Sequence, residues 1–306
     1  MTNTYTKGIL LVLATALISG FAIFINSFGV KETDSSLFTG LKNLVVAVLL
    51  FLTVILYQKS AFKNLGAKNW LKLAIIGLVG GSIPFLLFFK GLQITSGIQG
   101  SFIHKTLFIY VFVLAYFFLK EKINFRLLFG GLLLLFGNVI FLKMFSFKVS
   151  AGDLLVLIAT MLWAIENVIS KHTLKNLSGS VVAFGRMFFG LIFIFIFLIA
   201  TGKIGLIASL TIPQIGWILI SSVILYGYVM TYYNGLKLIP VSLAASILLL
   251  GAPITTILSF IFLGNQIIGF QILGGILIGA GIFLAIWWGL KIKDRIEIKE
   301  ATERRE

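Results

Sequence analysis

Glu166 is the one acidic side chain that falls well inside an apolar stretch, in Trp163-Ala164-Ile165-Glu166-Asn167-Val168. A carboxylate far from water is costly to keep, so such a residue is a functional suspect by default. The chemistry open to it is proton exchange. A low-dielectric setting favours the protonated form of a carboxyl group, so a proton and a substrate can compete for it. Trp163, Ser170 and Thr173 share its helical face. The bland alternative is a Glu166 that pairs with a lysine or reaches toward the inner surface.

Lys105 is the second candidate. On a helix it shares a face with Ser101, Phe108 and Phe112, and its ammonium can receive a carboxylate or phosphate or pair internally with Glu166. His104 points about 100° away from it, which favours a packed or hydrogen-bonded imidazole over a proton relay. Tyr228 and Tyr232, four residues apart, form an aromatic wall with polar tips suited to organic substrates; an interfacial aromatic belt is the alternative. Asn26 and Asn167 are expected to add hydrogen bonds to a pocket or between helices. Lys42 and Arg186 lie near the starts of their apolar stretches and read as side chains that reach the interface. Pro84, after Gly80-Gly81, and Pro253, near Gly251, each delete a helical hydrogen bond and permit a kink, as a gate or a fixed bend.

Several chemistries are excluded. The chain has no cysteine and two histidines, His104 and His172, too few for a thiolate or histidine-built metal site. It contains no G-x-x-x-x-G-K-[ST] phosphate loop, so nucleotide hydrolysis is not expected. No cofactor and no catalytic residue is expected. The remaining drivers are ion coupling (protons through Glu166), exchange and facilitated passage.

The elements that must position these residues are membrane helices. Of 306 residues, 59% are hydrophobic and 11% charged, with a mean hydropathy of +1.09. That is more apolar surface than a soluble core of this length can hide. Apolar runs of about 20 residues predict ten transmembrane helices, at 8–29, 37–57, 70–90, 97–118, 126–143, 152–171, 180–200, 214–234, 240–262 and 270–290. The expected fold is an all-α integral membrane protein. Seven residues precede the first run with no cleavage site and soluble domain after it, so that run is expected to be retained.

The chain repeats itself at a constant offset of 144 residues: Gly8 falls on Gly152, Lys42 on Arg186, Gly91-Leu92 on Gly235-Leu236, Gly130-Gly131 on Gly274-Gly275, and Gly137 on Gly281. Residues 1–146 and 147–290 are therefore two five-helix repeats, followed by a charged tail, 291–306. An odd number of spans inverts the second repeat relative to the first, an arrangement typical of secondary transporters. Gly275 and Gly279 form a GxxxG step that predicts close helix packing, within the chain or in a second protomer. Monomer and homodimer are both open.

The net charge of +15 is an orientation signal more than a nucleic-acid patch, and no nucleic-acid partner is expected. Seventeen of the 25 basic residues fall on one side of the ten spans and five on the other, which puts both termini in the cytoplasm.

Two five-helix repeats, each with Gly-Leu after the third span and Gly-Gly opening the fifth, resemble the EamA branch of the drug/metabolite transporter (DMT) superfamily. Leu119-Lys120-Glu121-Lys122-Ile123 and Trp163-Ala164 match that family's pattern, and the resemblance spans residues 8–290. The segment Ala164–Val168 is also similar to the first helix of the related small multidrug transporters, which carry an intramembrane carboxylate. Departures are Asn265 opposite Glu121, Ser19 where tryptophan is usual, and Ile109 where the repeat would match Pro253. They weaken the expectation that the two halves behave alike.

The expected function is secondary transport of a small organic metabolite, an amino acid or related compound, across the cytoplasmic membrane, with export preferred. A multidrug exporter and an uncoupled facilitator or exchanger are the alternatives, and a lipid enzyme or a pore are more remote ones. The site is expected between the halves, walled by the first, third, fourth, sixth, eighth and ninth spans.

Overall fold

In hydrocarbon every backbone N–H and C=O must be satisfied within the protein, which leaves helices as the natural state of so apolar a chain. The structure, a computed structural model, describes residues 2–59, 61–63, 65–122, 124–141, 149–263, 272–284, 287, 288 and 291, which include helices and no strand. The helices are α1 (Thr2–Gly29), α2 (Ser35–Tyr57), α3 (Ala67–Ile76), α4 (Ile83–Ile94), α5 (Gly97–Lys105), α6 (Leu107–Leu114) and α7 (Phe125–Phe141). They continue as α8 (Ala151–Thr173), α9 (Gly179–Ala200), α10 (Ile212–Leu238), α11 (Val241–Leu248) and α12 (Gly251–Leu263), then α13 (Ile272–Leu284). A π-helical turn, Gly77–Ser82, joins α3 to α4.

Joined where they run on, these make eight helices long and apolar enough to cross a membrane, against ten expected. The fifth and tenth expected spans correspond to the shorter apolar helices α7 and α13. Part of the expected 270–290 span, nearly all of the tail and Asn265 lie outside the described residues. Large apolar side chains such as Leu17, Leu56, Phe117, Ile196 and Phe262 stand exposed on the outer surface, where lipid would cover them.

The halves interlock in a way that follows the 144-residue offset. Gly8 of α1 crosses α10 at Gly235, and its repeat-mate Gly152 of α8 crosses α4 at Gly91, the repeat-mate of Gly235. A Cβ on Gly8 would come 2.7 Å from Ile239 Cγ2, and one on Gly152 would come 2.9 Å from the Gly91 carbonyl oxygen. Each half's first helix therefore packs on the other half's third, so the two share one core.

α7 and α13 meet in the same manner, Gly137 against Gly274 and Ile278, and Gly281 against Gly130 and Leu134. This close packing is within the chain, and the Gly275–Gly279 step takes no part in it: a Cβ on Gly279 would meet nothing within 4 Å in this chain.

The fourth span of each half is broken. α5 ends at Lys105 and α6 starts at Leu107, while α12 starts at Gly251, 144 residues further on. Pro253 therefore sits in the first turn of α12, where a missing N–H costs nothing, and in place of a mid-span kink the helix tightens at Leu249–Leu250 into i→i+3 hydrogen bonds. Discontinuous helices are tolerated at membrane depth where protein or a cavity surrounds them.

Candidate functional site

Pro84 organises the centre of the molecule. Lacking an N–H, it cannot donate to the carbonyl of Gly80 four residues back, and the chain widens into the π turn, with Ile83 N–H reaching Leu78 O. Side chains from three other helices satisfy the freed carbonyls. Trp163 Nε1 donates to Gly80 O at 2.9 Å, Arg186 Nη2 to the same oxygen at 3.0 Å, and Asn43 Nδ2 to Gly81 O at 2.8 Å. One proline thus draws α2, α8 and α9 onto the α3–α4 span.

A cavity of about 80 Å³ adjoins this point, lined by Ser19, Ala22, Ile23 and Asn26 of α1, Lys42 of α2, and Phe85, Phe88 and Phe89 of α4. His104, Leu107, Trp163, Glu166, Asn167 and Arg186 line it too, with Leu225, Tyr228 and Tyr232 of α10. A volume of that size holds a few water molecules and suits a small polar group.

Glu166 is 1% exposed. Its Oε1 accepts hydrogen bonds from Tyr233 Oη at 2.6 Å and from Ser170 Oγ. Gly80 abuts the same carboxyl, and a Cβ there would strike the Glu166 side chain. Asn167 Oδ1 accepts from Tyr232 Oη at 2.9 Å, and Tyr228 stacks on Tyr232 with ring centroids 5.7 Å apart. Trp163 packs edge-on against Phe85, Phe88 and His104, the last with centroids 4.9 Å apart. Asn26 Oδ1 and His104 Nδ1 are buried without a hydrogen-bond partner.

Lys42 and Arg186 were expected to reach the membrane interface; instead both are buried, 1% and 4% exposed, and both line the cavity. The reason is that their helices pack against each other in the middle of the protein, so their long stems point inward. The Lys42 ammonium lies 3.5 Å from the centroid of Phe89, with the rings of Phe38 and Phe85 also around it. The Arg186 guanidinium lies between Phe85 and Tyr233.

Lys105 is placed differently from the expectation. Its Nζ donates to Ser19 Oγ at 2.9 Å and lies beside Gly251, in the gap between α1 and the break before α12. It does not line the cavity and makes no ion pair with Glu166. Ser101, buried with its hydroxyl unpartnered, is also outside the cavity lining. Among the described residues the ninth span, α11–α12, contributes nothing to the wall, whereas the second and seventh spans supply Lys42 and Arg186. Six of the eight predicted residues, Glu166, Trp163, Tyr228, Asn26, Asn167 and His104, do meet at one cavity.

The chain matches the EamA-like transporter family over residues 6–143 and again over 150–287. It belongs to that family. This EamA-like transporter is similar to an uncharacterized transporter of Bacillus subtilis (strain 168), YoaV, with 26% identity over 287 residues. The match covers 91% of this chain and 96% of that one. An uncharacterized transporter of Archaeoglobus fulgidus is likewise 26% identical over 284 residues, covering 90% and 96%. A solved crystal structure superposes with a TM-score of 0.76 at 15% identity, over 94% of this chain and 99% of the other, which supports the fold. The protein is a multi-pass membrane transporter.

Polar ties join the two repeats of this EamA-like transporter outside the cavity. Asp34 caps α2 through the N–H groups of Ser36 and Leu37 and pairs with Lys203 at 2.7 Å. Glu121, in the resemblance segment, accepts from Val241 N, Ser242 N and Ser242 Oγ at 2.9, 3.2 and 2.6 Å, so it caps α11 across the repeat boundary. A carboxylate there also meets the positive end of a helix dipole. Within the second repeat, Lys171 Nζ donates to the carbonyls of Leu236 and Ile239 at the end of α10.

Proposed function

We propose that this EamA-like transporter is a secondary carrier that exports a small organic metabolite, an amino acid or related compound, by alternating access. In this reading residues 1–146 and 147–290 are inverted five-helix repeats in the cytoplasmic membrane, with both termini in the cytoplasm. Glu166 exchanges a proton for substrate. The observation that carries the reading is a buried carboxylate, held by Tyr233 and Ser170, on a cavity walled by helices of both repeats. Substrate and proton competing for one carboxylate is the simplest way to couple two opposite fluxes.

The polar ties between the repeats fit the same account. By the expected topology the Asp34–Lys203 pair lies on the outer side and the Glu121 cap of α11 on the inner side. Opening to one side means breaking one tie while the other holds. The volume of the cavity favours a small metabolite over a bulky drug.

The test is substrate-dependent proton movement in proteoliposomes, comparing wild type with Glu166→Gln across amino acids, sugars and cationic drugs. Coupling lost in the variant is expected. Substrate flux without protons in both proteins would make the protein a uniporter or exchanger and Glu166 a structural residue.

A further inference from the structure

We propose that Lys42 and Arg186, the repeat-mates at the offset of 144 residues, form a receptor for one carboxylate group of the transported molecule. The inference rests on the carrier reading above and gives the substrate a chemical class.

Lys42 is a buried cation without a counter-ion. Among the described residues the one ion pair is Asp34–Lys203, and the Lys42 ammonium makes no hydrogen bond. The face of Phe89 at 3.5 Å gives a cation part of what burial takes away, and only part. Against the rings of Phe38, Phe85 and Phe89 an apolar side chain would pack with no charge to bury. An ammonium held open toward a cavity in this state is suited to an anion that arrives from outside the chain.

Arg186 complements it. One arm of its guanidinium is fixed on Gly80 O at 3.0 Å, which orients the plane, while Nε is buried with no partner. Both cations address the same ring: Lys42 Nζ and Arg186 Cζ each lie 5.2 Å from the centroid of Phe85. Glu166 offsets at most one of the two charges, and without direct contact. It makes no ion pair within 4 Å of either, and its Oε1 is occupied by Tyr233 and Ser170.

The charge count selects the anion. With Lys42 and Arg186 charged and Glu166 ionised, the cavity wall carries one positive charge in excess, which one negative charge on the bound molecule balances. A carboxylate supplies one, and its size suits the space. Inorganic phosphate and phosphate esters bring up to two and more bulk. Asn26 Oδ1, an unpartnered acceptor on the same wall, offers a place for an N–H group on the remainder of the molecule.

The experiment is a thermal melt of the purified full-length protein in detergent with matched probes. These are acetate, propionate, L-alanine and L-valine, each beside its amide, and inorganic phosphate. The expected result is a melting temperature raised by at least one carboxylate and not by its amide. The rise is lost in Lys42→Gln and kept in Lys42→Arg. In addition, Lys42→Met without any probe melts above wild type, because an uncompensated buried charge is gone.

Amides that protect as well as acids, protection by phosphate alone, no protection by any carboxylate, or a response that survives in Lys42→Gln would each overturn the proposal. So would a Lys42→Met that melts below wild type, the mark of a structural lysine. Failure here is separable from failure of the carrier reading. Saturable counterflow with unchanged preference in Lys42→Gln overturns the receptor and leaves the carrier standing. Wild type without saturable counterflow overturns the carrier, whatever the melts show.

Discussion

Replacing Gly80 by alanine puts one methyl group where the structure has no room for it. A Cβ at residue 80 would strike Cγ of Glu166 and come 2.9 Å from its Cδ and 3.1 Å from Arg186 Nε. The arginine end can swing, but the Glu166 stem is close to its own backbone and its carboxyl is held by Tyr233 at 2.6 Å. Overpacking of this kind costs about 1–3 kcal/mol. Losing a hydrogen bond to a charged group adds about 1.5–3 kcal/mol if Glu166 has to let go. The gain in helix propensity returns only about 0.5–1 kcal/mol. With the hydrogen bond lost, the expected net loss is thus about 1.5–5.5 kcal/mol, at least ~10-fold in the unfolding equilibrium.

A matched control is Gly216→Ala in α10, whose Cβ would meet nothing within 4 Å and which is expected to gain about 0.5–1 kcal/mol. Equilibrium unfolding in mixed detergent micelles reads both. Two alanine variants that behave alike, both neutral or both stabilised, would refute the packing of Glu166 against the π turn.

Two further expectations concern the ties between repeats. Burial pushes the Asp34 carboxyl up, but the hydrogen bond from Lys203, its charge, and the N–H groups of Leu37 and Ser36 together bring it below its ordinary 3.8. A depressed folded-state value means that the stabilisation is complete above 3.8 and is lost as pH falls through that lower value. Asn still caps a helix, so Asp34→Asn removes the charge pair alone. It should cost less than about 1 kcal/mol at neutral pH and flatten the acid limb of the melting profile. An unchanged acid limb counts against the pair. Glu121→Ala strips the N-terminus of α11 and should cost about 1–2 kcal/mol by the same unfolding assay; a neutral result would mean water caps α11 equally well.

Much of the fold was legible because membrane helices depend on one-dimensional properties: apolar run length and the constant 144-residue offset. The paired crossings at Gly8–Gly235 and Gly152–Gly91 follow the offset but were not legible in it, because which helices meet is a three-dimensional fact. α7 and α13 correspond to the fifth and tenth apolar runs, and the remainder of those runs lies partly outside the described residues. In the site, Glu166 and its neighbours were readable because a carboxylate within an apolar run has few explanations.

Lys42 and Arg186 were misread for a physical reason. A long basic side chain near a span's end can reach the interface or the core equally well, and depth along one helix does not say which way it points. Their matching positions in the two repeats were the available signal, since a symmetric pair near a shared axis faces a shared cavity. Lys105 was misplaced because the helix ends at that residue, and the break turns its side chain toward Ser19. Nothing in the sequence separates Phe85 and Phe89 from lipid-facing phenylalanines; in the fold they follow the π turn at Pro84 and lie against Lys42, Phe85 also against Arg186.

The most direct measurement is counterflow in proteoliposomes preloaded with each of a panel of unlabelled amino acids and then given a trace of the same labelled compound outside. An alternating-access carrier predicts, for at least one compound, a transient accumulation of label above its equilibrium level that saturates with concentration. Flux that rises in proportion to concentration with no overshoot, or no flux above that of empty vesicles, would contradict it.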